Sequence, residues 1–169
     1  FADYVSLMLF VDANIKKGID RTFYKIATAE IIETMSHVPD EKIIKMTEDG
    51  LRKFPDYVKL GQSELADWLR VHGTSHIERG KKLQNILREG VEALRPTGSR
   101  PEEPLPRNWY NYAVLSDAYV RGVMNKEVMA RLYISEGTFN RTRRNALRGV
   151  ARWLMERNKN QNLDTYQLT

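Results

Sequence analysis

Apolar residues recur at three- and four-residue spacing over most of the chain, the period of helices that turn one face to a core. Phe1 to Ile15 is apolar enough for a helix; Tyr4 to Val11 also fits a buried strand, but length favours helix. Thr22 to Met35 sets Phe23, Ile26, Ala27 and Ile31 near one face. Asp40 to Phe54 does the same with Ile43, Ile44, Met46 and Leu51, and Pro39 stands just ahead of it, close to where helix starts favour proline. After Gly61 and Gln62 a short helix, Ser63 to Val71, carries Leu65, Trp68 and Leu69. Ser75 and Glu78 have the spacing of a capping box. The helix they open runs to about Leu94, with Ile77, Leu83, Ile86, Leu87, Val91 and Leu94 as its stripe.

Four of the six prolines then fall between Pro96 and Pro106. Proline lacks an amide donor and disfavours helix in the residue before it, so this stretch reads as a semi-stiff extended linker. Beyond it, Trp109 to Arg121 offers Trp109, Tyr112, Ala113 and Val120 to a core and ends at Gly122. Asn125 to Leu132 is a short helix, and Ser135 caps a long one expected to stop near Arg157. The expected fold is all-α. An N-terminal helical bundle (1–95) is joined by the proline-rich linker (96–107) to a C-terminal helix-turn-helix domain (108–160), followed by a polar tail (161–169).

Composition changes this picture little; charge changes it more. Hydrophobic residues make up 41% and charged residues 29%, a globular balance. The longest apolar run, Leu7 to Val11, is far below the roughly 20 residues of a membrane span. The first residues lack the basic start and cleavage site of a secretory leader, and Phe1 in place of methionine leads us to expect a piece of something longer. Cysteine is absent, which removes disulfides and thiolate metal sites and makes a cytoplasmic setting the default expectation. From Arg107 to Asn160, eleven Lys/Arg oppose four acids, a balance of +7 that leaves −2 for the rest. A basic C-terminal part beside a near-neutral one points the former at a polyanion.

The residues from Asn125 to Leu147 have the spacing of a major-groove reader: two helices joined by a tight turn, the second offering its first turns to base edges. On a helical wheel Phe139, Ala146, Leu147, Val150 and Leu154 share one stripe of that second helix. Gly137, Arg141, Arg144, Arg148 and Arg152 lie opposite. This segment resembles the helix-turn-helix of LuxR-type response regulators and of sigma factor region four. Lys126-Glu127, Leu132, Ile134-Ser135-Glu136, Thr138 and Ala146-Leu147 match in register. The resemblance covers about 23 of the 169 residues. It implies that Lys126 and Thr138 lie against backbone phosphates and that Asn140, Arg141 and Arg144 enter the groove. Ser135, Asn145 and Arg148 complete the expected DNA-binding set. The chain departs from the family at Met129 and Phe139, both larger than usual, and at Arg143, where an apolar residue is the rule; its stem is expected to pack while its head snorkels to water.

Blander readings compete. An arginine-rich helix face is commonly just solvated, and a helix-turn-helix can serve as a packing or dimerisation unit. His72 and His76 are four apart, but Gly73 and the Ser75 cap break any helix between them and no third ligand is near, so no metal is expected. No acid pair stands with a nucleophile or a histidine at a useful spacing, so neither catalysis nor a cofactor is expected. The leading expectation is a transcriptional regulator that binds duplex DNA, with the N-terminal bundle supplying a homodimer or partner contact and no membrane involved. The rival is a helical adaptor module of a larger bacterial signalling protein in which the helix-turn-helix is structural.

Overall fold

The computed structural model describes residues 39–166, with side chains as far as residue 160. The helices expected over Phe1 to Ile15 and Thr22 to Met35, and the side chains of residues 161–169, lie outside the described residues. Within them the fold is all-helical. The α-helices are α1 (Glu41–Arg52), α2 (Tyr57–Gly61), α3 (Glu64–Trp68), α4 (His76–Glu92), α5 (Tyr110–Leu115), α6 (Asn125–Leu132) and α7 (Glu136–Tyr166). No described helix is long and apolar enough to cross a membrane.

Most starts are written in short polar side chains. Asp40, Asp56, Ser63 and Ser75 each accept a hydrogen bond from the amide three residues on, satisfying a donor that the first turn leaves open. Helix α2 was not expected from the pattern, because five residues are too few to show a period; its only advance sign is Pro55-Asp56. Helix α3 stops earlier than expected because Arg70 turns to a left-handed φ of 50°. In contrast, α7 runs nine residues past its expected stop, since no glycine or proline interrupts the chain between Val150 and Tyr166.

The capping box is made in altered form. Ser75 Oγ accepts from the Glu78 amide at 3.2 Å, but the Glu78 carboxylate reaches past Ser75 to the amide and hydroxyl of Thr74, at 2.9 and 2.7 Å. The Lys82 ammonium at 2.8 Å and these Thr74 donors hold the Glu78 carboxyl down from 4.5 to about 2. A carboxyl depressed by folding adds stability that is complete above its unfolded pKa and is lost as pH falls through the folded one. The melting-temperature gap between wild type and Glu78→Gln should therefore hold steady from neutral pH to about 4.5 and close toward about 2. A gap that does not change with pH would show that the carboxylate is not its source.

Helices α2 and α4 meet backbone to backbone. A Cβ on Gly80 would run into the Tyr57 carbonyl, and one on Gly61 into the His76 carbonyl, so only glycine admits this contact. The contact holds the first turn of α4 by its His76–Gly80 face, and Ile77, expected in the stripe, is left half exposed. The other expected core positions are buried or packed against the core: Leu83, Leu87 and Val91 on α4, and Phe139, Ala146, Leu147, Val150 and Leu154 on α7.

The proline-rich stretch does not separate two cores. Residues 39–166 belong to one compact unit, which is not divided at residues 96–107. Apolar residues of α1, α4 and α7 enter one cluster. Trp153 and Val150 of α7 lie against Gly90 of α4, Arg157 pairs with Glu89 at 3.0 Å, and the Tyr112 hydroxyl donates to Glu92 at 2.8 Å. The stretch is a strap fastened at two points. Leu105 is buried in the shared core, and Arg100 reaches the buried carboxylate of Asp117 at 3.5 Å. Prolines forbid a helix, as read from the sequence, but they do not forbid docking.

Asp117 stands where the expected helix Trp109 to Arg121 changes form. A 3-10 turn (Arg107–Trp109) leads into α5, and a π-helical turn (Ser116–Val120) follows it, closed by the Arg121 amide on the Ser116 carbonyl at 2.9 Å. The wider turn sets the Asp117 carboxylate inside, where Arg121 on its own segment and Arg131 of α6 join Arg100, at 3.1 and 3.5 Å. Three guanidinium groups thus converge on one carboxylate that is 3% exposed. They tie together the strap, residues 107–121 (the support segment, from the 3-10 turn through the π-helical turn) and α6.

Candidate nucleic-acid interface

Helix α6, the turn and α7 form the described counterpart of the expected two-helix motif. The turn is a Schellman closure: the Tyr133 amide donates to the Ala130 carbonyl at 3.2 Å and the Ile134 amide to that of Met129 at 3.1 Å. Tyr133 sits at the left-handed position, φ 52° and ψ 43°, where glycine is the usual occupant and a side chain costs about 1–2 kcal/mol. Tyr133 is 81% exposed. Ser135 caps α7 as expected, accepting from the Thr138 amide at 3.3 Å, and its hydroxyl is 3.1 Å from that of Thr138. Met124, by contrast, opens α6 without a side-chain cap.

The support segment locks this unit from behind. The Tyr110 hydroxyl donates to the Leu132 carbonyl at 3.4 Å, satisfying an acceptor that the end of α6 leaves open. Val128 and Leu132 of α6 and Phe139 of α7 are buried in the common core. Arg143 is half-buried and faces Tyr119, whose hydroxyl is pushed up by burial and drawn back by the arginine charge. The unusual arginine therefore turns to the π-helical turn rather than to free solvent.

The structure divides the expected site residues into groups. Arg141, Arg144 and Arg148 are exposed on one face of α7, and Arg152 continues that face. Ser135, Thr138, Arg141 and Asn145 share the wall of an open groove of about 520 Å³, with Ile134 and Thr142 between them. Lys126 is exposed on α6 outside this groove, and Asn140 is half-buried. Asn145 also accepts from Arg148 at 3.4 Å. Three of the eleven basic residues between Arg107 and Asn160 are engaged elsewhere: Arg121 and Arg131 on Asp117, and Arg157 on Glu89.

The far wall of the groove comes from residues that sequence reasoning left out of the site. Arg107, Tyr110 and Asn111 of the support segment form it, and Tyr133 stands in the turn beside them. Tyr110 is half-buried, packed against the core and also lining the groove. The available signal is the run Arg107-Asn-Trp-Tyr-Asn111, a cation and two amides flanking two aromatics, but nothing in the spacing places it against the motif. No acidic side chain lines the groove, and neither Arg107 nor Arg141 is ion-paired among the described residues. A scan of protein-family models finds no match to this chain, and comparisons with curated proteins and with solved structures find none.

Proposed function

We propose that this protein is a non-catalytic transcriptional regulator that grips duplex DNA through α7, in the manner of the helix-turn-helix that its sequence resembles. The observation that carries the reading is the exposed row Arg141, Arg144 and Arg148 along the first turns of α7. Guanidinium groups on such a face suit the guanine O6 and N7 acceptors of the major groove and the phosphates flanking them. Lys126 and Thr138 are assigned to phosphates, and Arg141 and Arg144 to base edges. The half-burial of Asn140 makes it the weakest member of the set. A homodimer or partner contact through the N-terminal region and a cytoplasmic setting belong to the same proposal.

The adaptor reading draws on a different observation. The middle of α7 packs on α1 and α4, so the helix that would read DNA also braces the whole unit. A mobility shift separates the two, and because the core is shared it should use the whole chain rather than residues 107–169. If about five phosphates are neutralised, the plot of log affinity against log salt should have a slope near −4.5. Arg141→Ala or Arg144→Ala should cost about 1–3 kcal/mol on the preferred site and relax one base pair, whereas Arg152→Ala, two turns further along, should cost little on any sequence. Absent or salt-independent binding would favour the adaptor. An Arg152→Ala loss equal to that of Arg141→Ala would leave only a basic surface.

A further inference from the structure

We infer that the groove between the support segment and α7 seats a backbone phosphate of the bound duplex, and that Arg107, outside the two-helix motif, is its principal grip. The inference rests on the DNA reading above. Arg107 enters from the 3-10 turn ahead of α5 and Arg141 from α7, so two elements far apart in sequence bring cations to one concavity. Between them stand amide and hydroxyl donors, Asn111, Thr138 and Asn145, and no carboxylate. That is the lining for an anion with several acceptor oxygens. Arg141 belongs both to the groove and to the exposed arginine face, so a strand whose bases meet that face has its sugar-phosphate chain led into the groove. This continuity favours a phosphate of a polymer over a free anion. Tyr110 on the same wall is hydrogen-bonded to the end of α6, which ties that wall to the two-helix motif. Phosphate contacts of this kind fix orientation and carry no sequence information.

The test is duplex binding by the whole chain over a range of potassium chloride, for wild type, Arg107→Ala and Arg107→Lys, on the preferred sequence and on an unrelated one. Arg107 is exposed and makes no ion pair among the described residues, so Arg107→Ala should keep the wild-type melting temperature. It should weaken both duplexes equally, by about tenfold, and reduce the steepness of the log–log salt plot by about 1. Arg107→Lys should restore the slope, since it restores the charge. If wild type binds but Arg107→Ala leaves the slope unchanged, or weakens only one sequence, the groove assignment falls while the DNA reading stands. If potassium phosphate raises the melting temperature of wild type but not of Arg107→Ala, while the two bind duplex with equal affinity and slope, the groove is a small-anion site and the inference falls. Wild type that binds no duplex at any salt overturns the DNA reading and this inference together.

Discussion

Phe139→Ala should destabilise the protein by about 3–5 kcal/mol, the range for emptying a buried phenylalanine site, and should leave it folded at room temperature. Phe139 is 2% exposed and enters the same core as Val128 and Leu132 of α6. Truncation removes its apolar area from the core and leaves a void that the flanking helices cannot close, because α6 is held by Tyr110 and by Arg131. A freestanding helix-turn-helix of about 50 residues would be largely unfolded by such a loss. Here α7 is also anchored on α1 and α4, and a unit of this larger size has about 5–15 kcal/mol to draw on. The expected result is one cooperative transition, lowered by roughly 10–20 °C. An unchanged melting temperature would mean that Phe139 does not fill the core. Separate melting of the α6–α7 region would mean that the core is not shared.

Asp117→Ala should cost about 3 kcal/mol, near the lower end for removing one partner of a buried ion pair. The carboxylate is 3% exposed, whereas Arg100 and Arg131 are 26% and 33% exposed and Arg121 is 51% exposed. Without the carboxylate, three cations face one another, and two guanidinium nitrogens, Arg100 Nη1 and Arg131 Nε, are already buried without a hydrogen-bond partner. Arg121 can swing to water, which is why the lower end applies, and Arg121→Ala alone should cost under about 1 kcal/mol. The stability loss should come with a local sign. Amide exchange across residues 98–105 should accelerate in Asp117→Ala, because the strap loses one of its two fastenings while Leu105 keeps the other. Chemical denaturation and hydrogen exchange on the same variant check both parts. A stable variant with an unchanged strap would show that the arginines are held by something other than this carboxylate.

Local and periodic features follow from the residue pattern alone. The stripe Phe139, Ala146, Leu147, Val150 and Leu154 sits at helical spacing, and all five are buried as expected. Ser135 and Asp40 cap because a short acceptor one residue ahead of a helix can reach an amide three residues on, which needs no knowledge of the rest of the fold. The exposed row Arg141, Arg144, Arg148 and Arg152 is the complement of the buried stripe and was legible for the same reason. Which surfaces share a core is set instead by packing between distant segments. Proline content reads as a break in helix, and the break is real, but whether the strap spans solvent or docks depends on Leu105 and Arg100 finding partners far along the chain. Burial of Asp117 depends on a π-helical turn that propensity does not foretell, and its three arginines come from three separate segments. The groove is of the same kind: Arg107 and Arg141 are 34 positions apart and line its opposite walls, brought together where Tyr110 is hydrogen-bonded to the end of α6. Periodicity and capping act over one or two turns of chain, whereas a shared core and a two-walled groove are set by contacts between residues that no local rule connects.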